Sequence, residues 1–252
     1  MDNPPGPMPV YYLVAAPFHA LNVLEWLGAS GYLLAIGWAW YRKQCSSLTA
    51  LLLVTSPFMY WEIAVRSNIF TFSILALIGL QHFARRVNYA GAAFVGAMLA
   101  TRSVYVLAYI PYYLTIWRTR GTTAFLGPAT FSALIFLLTF LPFWLIWPEP
   151  FYRMNPFIVQ GSFLLPPQAI GIAFVTAAGI SILRTKVNLP FLSGLLLFGV
   201  ILLYSVYHIY RLGWQEAYLD SKIDLSYYIF CVPFIGYAYL NATTTKTGPG
   251  AG

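Results

Sequence analysis

The side chains of this chain that could do chemistry are few. Its 252 residues include 7 acidic residues, 14 lysines and arginines, and 3 histidines. A carboxylate can take a proton from a hydroxyl group, and a guanidinium group can hold phosphate oxygens in a forked geometry. The sequence contains no P-loop, GxSxG turn or HExxH motif, so any reaction has to depend on these scattered groups. The carboxylates are those of Asp2, Glu25, Glu62, Glu149, Glu216, Asp220 and Asp224.

Most of the remaining sequence is apolar. Hydrophobic residues make up 60% of the chain and charged residues 8%, whereas a soluble domain carries roughly 25% charged residues. So few polar side chains cannot cover a soluble fold of this size, and the apolar surface has to face lipid. The apolar runs are about 15 to 25 residues long, which favours helices over the alternating strands of a barrel. The sequence therefore predicts an all-α, polytopic integral membrane protein.

The helices that would position the polar groups follow from the apolar runs. About nine spans are expected from their length and hydrophobicity. They would form a single transmembrane helical domain over residues 1–241, followed by a disordered polar tail at 242–252. The predicted spans lie near residues 23–41, 48–65, 69–84, 87–101, 103–117, 123–147, 168–183, 189–210 and 226–240.

Basic residues determine the predicted orientation, because cytoplasmic loops are enriched in lysine and arginine. With Arg42 and Lys43 inside, strict alternation of the spans places the N-terminus outside and the C-terminus inside. We therefore expect a multi-pass protein of a bacterial cell membrane. The other basic residues on the predicted inner side are Arg85, Arg86, Arg118, Arg120, Arg184, Lys186 and Lys246.

The predicted outer side receives all the carboxylates, together with Arg66, Arg102, Arg153, Arg211 and Lys222. This distribution indicates that the working surface is extracytoplasmic. The alternative is that the acidic residues balance the outer basic residues in solvated loops. The net charge of +7 is spread among the loops, which fits membrane topology and gives no reason to expect a nucleic-acid partner.

The stretch from Val87 to Trp117 has to cross the membrane twice with about 15 residues each way, although a full span takes about 20. Its turn is therefore expected below the outer surface, with Arg102 in a depression within the membrane. An ionisable group there is costly unless it binds an anion or lines a wet cavity. The alternative is a thin or tilted hairpin in which Arg102 extends to the interface.

Two further outer loops are rich in polar and aromatic residues. The loop after Trp147, PEPFYRMNPFIVQGSFLLPP, is long, aromatic and bounded by prolines, as is typical of a segment that lies along the membrane interface. The loop YRLGWQEAYLDSKIDLSYY carries Glu216, Asp220 and Asp224 close to Arg211. It either closes over a site or is a solvated link.

These stretches together resemble the GT-C fold glycosyltransferases, polytopic enzymes that take a sugar from a polyprenyl-phosphate donor. The resemblance covers most of the chain as a pattern of loops and spans rather than as a strict motif. It implies a GT-C-like helical fold with a cavity that faces the outside. The stretches that carry it are DNPPGPMPVYYLVAAPFHAL at 2–21, WEIAVRSN at 61–68, LATRS at 99–103, NPFIVQGSFLLPP at 155–167 and DLSYYIFCVPF at 224–234.

The resemblance also implies roles for individual residues. Asp2 would act as the catalytic base, and Arg66 and Arg102 would bind the donor phosphate. Substrate contacts from the long loops would come from Gln160, Arg211, Asp220 and Asp224. The expected partners are a polyprenyl-phosphate sugar donor, a glycan or lipid acceptor and membrane lipids. Some members use a divalent metal, so Mg²⁺ or Mn²⁺ could take part, although no carboxylate spacing here requires a metal site.

The N-terminus departs from the family pattern. Members usually carry the catalytic acidic residue just after a first span, and no span precedes Asp2. Either the chain is a shortened member that lacks its principal base, or Asp2 takes that role.

Two other classes of protein remain open. A transporter or flippase for a lipid-linked or anionic solute would also use outer arginines and broken helices, but it normally shows internal repeats. A non-catalytic membrane scaffold or fragment would not need buried charges, and replacing Arg66 and Arg102 together would then leave its function intact.

Overall fold

The computed structural model describes residues 9–42, 53, 55–65, 67–153, 167–183, 188–219 and 225–246. These residues form helices and turns and contain no strand, which confirms the predicted all-α class. The helices are α1 (Pro9–Ala20), α2 (Trp26–Tyr41), α3 (Pro57–Ala64), α4 (Ile69–Arg85), α5 (Tyr89–Leu99), α6 (Tyr105–Arg120), α7 (Thr122–Ile146), α8 (Pro148–Arg153), α9 (Pro167–Leu183), α10 (Leu189–Trp214) and α11 (Val232–Lys246). A π-helical turn, Gln215–Leu219, follows α10, and a 3₁₀-helix, Leu225–Cys231, precedes α11.

Two of the described helices are long and apolar enough to cross a membrane. They are α7 and α10, the latter continuing through Leu219. A third span results if α3 and α4 count as one helix pair, which is bent by 115°. The described part of the chain therefore has two or three helices that could cross a membrane.

Several helix boundaries lie where the sequence places them, because asparagine side chains accept hydrogen bonds from the first turns. Asn88 Oδ1 accepts from the amide of Gly91 at 2.7 Å, and Asn188 Oδ1 accepts from that of Phe191 at 3.2 Å. At the other end of the chain, α11 continues to Lys246, although the sequence predicted that the tail begins at 242. Helix propagation costs little at Ala242, which has the highest intrinsic helix propensity.

The centre of the packing is α4, which contacts α2, α5, α6, α11 and the 3₁₀-helix. Its side chains Phe72, Leu77, Leu80 and Phe83 are fully buried in the apolar core. The same helix also begins beside α3 and ends beside Arg120, so it connects two opposite ends of the molecule.

Glycines allow two close helix crossings. A Cβ atom on Gly31 of α2 would lie 2.3 Å from Thr71 Oγ1 of α4. A Cβ atom on Gly96 of α5 would lie 2.3 Å from the carbonyl oxygen of Ser132 in α7. Small residues let helices approach to backbone contact, which is how helices associate where apolar burial alone supplies little driving force.

The helix α7 is attached along one narrow side. Its buried residues are Pro128, Ser132 and Phe140, which lie four or eight positions apart and therefore on one face. Only 11% of its most apolar stretch is buried within the protein, compared with 50% for α10. Most of the apolar surface of α7 is therefore exposed on the outside of the described protein.

The helices define two ends of the molecule. One end, which we call the Arg102 end, contains the start of α4, the α5–α6 turn and the start of α1. A hydrogen bond from the Val10 amide to the Ala100 carbonyl at 3.0 Å joins α1 to the α5–α6 turn. The opposite end, called the Arg42 end, contains the C-termini of α2, α4 and α6. There Arg120 Nη2 donates to the carbonyl of Ala84 at 3.0 Å.

Candidate functional site

Arg102 lies in the turn between α5 and α6, where the sequence places the bend of a short double crossing. Its guanidinium carbon lies 5.9 Å from the ring centre of Phe230 in the 3₁₀-helix, a cation–π distance. The Nε atom is buried and has no hydrogen-bond partner among the described residues. Arg102 therefore retains donor capacity that a ligand could use.

The start of α1 covers this turn. The Tyr11 hydroxyl accepts a hydrogen bond from Asn68 Nδ2 at 2.8 Å, which joins α1 to the residue preceding α4. Burial raises the pKa of the Tyr12 hydroxyl, the neighbouring Tyr11 raises it further, and the positive charge of Arg102 lowers it. Two tyrosines of α1 thus lie within reach of the groups at the Arg102 end.

Among the acidic residues that the structure describes, Glu62 lies deepest in the protein. Its side chain is 0% exposed, and its Oε1 atom accepts hydrogen bonds from Ser67 Oγ at 3.2 Å and the Phe70 amide at 3.1 Å. Tyr32 of α2, 2% exposed, lies beside the same carboxyl group. The second oxygen, Oε2, is buried without a hydrogen-bond partner among the described residues.

The sharp bend between α3 and α4 explains how Glu62 reaches this position. Since α3 ends at Ala64 and α4 begins at Ile69 after a 115° change of direction, the carboxyl group meets the first amides of α4. Those amides have no partner within their own helix, and a helix N-terminus attracts a negatively charged or hydrogen-bond-accepting group. Glu62 therefore caps α4 from the preceding helix.

A pair of buried hydroxyl groups lies near both Glu62 and Arg102. Ser73 Oγ and Tyr105 Oη are 2.9 Å apart, and both side chains are 0% exposed. The Tyr105 hydroxyl interacts electrostatically with both Glu62 and Arg102. We call these five residues, Glu62, Asn68, Ser73, Arg102 and Tyr105, the Arg102 cluster.

The Arg102 cluster contains three buried polar atoms without partners among the described residues: Glu62 Oε2, Asn68 Oδ1 and Arg102 Nε. An unpaired buried polar atom costs about 1–3 kcal/mol. Glu62 Oε2 and Asn68 Oδ1 are acceptors to which the hydroxyl groups of a ligand could donate. Arg102 Nε is a donor suited to an anion. Their combination fits a ligand that carries both hydroxyl groups and a negative charge.

An apolar cavity of about 570 Å³ lies between α5, α6, α7 and α9. Leu99 and Val106, which flank the Arg102 turn, line it at one end, and Phe125 lines it further along α7. Its lining is almost entirely apolar, with the hydroxyl of Tyr109 buried and unpartnered among the described residues. A hydrocarbon chain fits such a cavity by size and polarity.

Of the candidate residues from the sequence, Arg102 and Arg211 lie in the described part of the chain. Arg211 is exposed on α10, where its Nη1 donates to Tyr207 Oη at 3.0 Å and its guanidinium carbon lies 5.8 Å from that ring. This pairing on one helix accounts for Arg211 without a link to Arg102. The residues outside the described part are Asp2, Arg66, Gln160, Asp220 and Asp224.

No group of three or more His, Cys, Asp or Glu side chains within the described ranges could hold a metal ion. The carboxyl groups of Asp2, Asp220 and Asp224 lie outside those ranges. The described residues thus provide one buried carboxyl group at the Arg102 end, that of Glu62.

Sequence reasoning placed Glu62 on the outer side but did not select it as a site residue. A signal for it was present, since an acidic residue between Trp61 and Ile63 in an apolar segment is costly unless it has a specific partner. No sequence signal identified Tyr32, Ser73 or Tyr105, because their roles depend on contacts between different helices.

Comparison with protein-family models, with curated proteins and with solved structures finds no match to this chain.

Proposed function

We propose that this chain is a GT-C-like membrane glycosyltransferase with about nine crossings, which moves a sugar from a polyprenyl-phosphate donor to a glycan or lipid acceptor outside the cytoplasm. The observation that carries the proposal is the α5–α6 turn, which combines Arg102 with the start of the apolar cavity. A donor of this class needs a cation for its phosphate and an apolar surface for its prenyl chain.

The phosphate would bind at Arg102. A guanidinium group keeps its charge near lipid and matches phosphate oxygens in a bidentate geometry. The cation–π contact with Phe230 holds the guanidinium group without neutralising it. Arg66, four residues after Glu62 in the sequence, is proposed as a second phosphate contact.

The sugar hydroxyl groups would bind at the acceptor oxygens of the same cluster. Glu62 Oε2 and Asn68 Oδ1 both lack partners among the described residues. Hydroxyl donors would satisfy them and recover the cost of burying them unpaired. Further contacts to sugar or acceptor are proposed for Gln160, Arg211, Asp220 and Asp224.

In the proposed reaction, the acceptor hydroxyl oxygen forms a bond with the anomeric carbon while the bond from that carbon to the phosphate oxygen breaks. The hydroxyl proton passes to a carboxylate, for which Asp2 is the proposed base. The electron pair of the broken bond leaves with the phosphate, whose charge Arg102 stabilises. A divalent ion such as Mg²⁺ or Mn²⁺ would add to this stabilisation where it is bound.

A transporter or flippase for a lipid-linked anion is the second candidate. The 115° bend between α3 and α4, with the Glu62 carboxyl group at the break, favours it. Transporters often bind substrate at such interrupted helices, where free backbone groups meet the ligand.

The test uses the purified full chain in liposomes with a radiolabelled polyprenyl-phosphate hexose and a lipid or glycan acceptor. Arg102→Ala should lower the rate of sugar transfer about 100-fold, and Arg102→Lys should retain part of the activity. Arg118→Lys is the matched control, because Arg118 donates to the carbonyls of Ser181 and Ile182 at the other end.

Movement of the intact donor between leaflets without sugar transfer would support the transporter instead. If neither transfer nor movement occurs with any donor, the scaffold becomes the better account. If transfer occurs and Arg102→Ala matches the unsubstituted protein, the phosphate-binding role of Arg102 is wrong.

A further inference from the structure

A second polar site lies at the Arg42 end, away from the Arg102 cluster. A cavity of about 340 Å³ lies between the C-terminal turns of α2 and α4. This volume falls within the range of about 300–1,000 Å³ usual for small-ligand sites. Its lining includes Trp38, Arg42, Gln81, His82, Arg85 and Arg86.

Three guanidinium groups line this one cavity, and its described lining contains no carboxyl group. The described acidic residues lie elsewhere: Glu25 precedes α2, Glu62 lies within α3, and Glu149 and Glu216 come just after α7 and α10, which begin towards the Arg42 end. The 16-residue helix α2 lies between Glu25 and Arg42. At 1.5 Å per residue it separates the backbones of these two residues by about 25 Å. The positive charges at the cavity therefore lack protein counter-charges in the described part of the chain.

Attraction of cations to helix C-termini accounts for part of this arrangement. Arg118 and Arg120 show that effect directly, since they donate to backbone carbonyls of α9 and α4. Arg42, Arg85 and Arg86 differ, because their side chains make no hydrogen bond or ion pair with the described residues. The Nε atom of Arg42 is buried and unpartnered within that part of the chain.

Two of these arginines also border a neighbouring cavity. Arg42 and Arg85, with Gln81 between them in the wall, line a second space of about 540 Å³ that extends to Tyr112, Asn188 and Tyr237. The amide nitrogen of Gln81 donates to the Tyr112 hydroxyl at 2.5 Å, which fixes this wall. A ligand bound in the first cavity could thus extend polar groups past Arg42 and Arg85 into this second cavity.

We propose that the cavity lined by Arg42, Arg85 and Arg86 binds a phosphate group, carried either by a lipid headgroup or by a free phosphate ion. Three guanidinium groups around one space repel each other, an anion between them relieves this repulsion, and guanidinium groups match phosphate oxygens. The buried Arg42 Nε supplies a donor that has no acceptor among the described residues. The site is independent of the proposed glycosyl transfer.

The test measures phosphate binding by the full chain in two arms. In one arm, calorimetry follows titration of inorganic phosphate into the protein in a neutral detergent. In the other, native mass spectrometry counts phosphatidylglycerol molecules retained after extraction from phosphatidylcholine nanodiscs with and without phosphatidylglycerol. Binding in the first arm identifies a free phosphate site, and binding only in the second identifies a headgroup site.

The double variant Arg42→Gln/Arg85→Gln should weaken binding about tenfold or more in whichever arm is positive. Arg118→Gln removes one positive charge at the same end and is the control, with an expected change below about twofold. If the double variant does not fold, Arg42→Lys is tested in its place. It keeps the positive charge but loses the forked donor geometry of the guanidinium group, and it should weaken binding about threefold. Absence of binding in both arms, or an equal loss in Arg118→Gln, would overturn the proposal.

Discussion

At the Arg102 end, polar groups from α2, α3, α4 and the α5–α6 turn are buried and largely joined to one another, whereas at the Arg42 end the arginines surround cavities. Glu62 is 0% exposed and caps α4, while Arg85 and Arg86 are exposed. A buried polar group is stabilised by the hydrogen bonds that it makes within the protein, and an exposed charge is stabilised by solvent. The first end is therefore expected to contribute more to the stability of the fold than the exposed arginines of the second.

The largest effect on stability that follows from this difference is expected for Glu62→Ala. The substitution leaves the Phe70 amide and Ser67 hydroxyl without their acceptor, at a cost of about 2–4 kcal/mol in the free energy of unfolding. Thermal unfolding in detergent would measure it. Glu62→Gln keeps an acceptor oxygen and should cost less than half as much, so an equal loss in both variants would contradict the capping role.

Substitution of Gly31 by valine should have the next largest effect. Its Cβ would lie 2.3 Å from Thr71 Oγ1, so α2 and α4 would have to separate, at a cost of about 1–3 kcal/mol. Gly37→Val is the control on the same helix towards the Arg42 end, because nothing lies within 4 Å of its added Cβ. Equal unfolding temperatures for the two variants would show that the helices do not cross closely at Gly31.

A smaller effect is expected for Tyr105→Phe, which removes one hydrogen bond to Ser73 within the Arg102 cluster. The expected cost is about 1 kcal/mol, since a hydroxyl partner is lost in a fully buried site. The matched change at the Arg42 end is Tyr112→Phe, which removes the partner of the partly buried Gln81 amide. Chemical unfolding should show a larger loss for Tyr105→Phe, and the reverse order would contradict the comparison between the two ends.

The sequence predicted the positions of many helices because apolar runs end at residues that suit helix ends. The expected span at 69–84 corresponds to α4 (Ile69–Arg85), and the expected turn around LATRS lies between α5 and α6. Asn88 and Asn188 act as N-caps through bonds to residues three positions on, so their effect is local.

The arrangement of the Arg102 cluster could not be predicted from local patterns. Arg102 contacts Phe230, which is 128 positions later in the sequence, and Tyr32 lies beside Glu62 across a helix interface. Such contacts depend on how α2, α4 and the 3₁₀-helix pack, and no spacing rule for one helix contains that information. The 115° bend before α4, which brings Glu62 to the amides, depends on the same packing.

The one-sided attachment of α7 has a consequence for how the chain tolerates change. Its buried positions form a row at Pro128, Ser132 and Phe140, of which Ser132 Oγ donates to the Ala92 carbonyl at 2.7 Å. At the exposed positions of this helix we expect that one apolar side chain can replace another, because lipid adapts to either shape. A mutational scan of residues 122–146 should therefore show intolerance that recurs at intervals of about four residues, separated by positions that accept almost any hydrophobic residue.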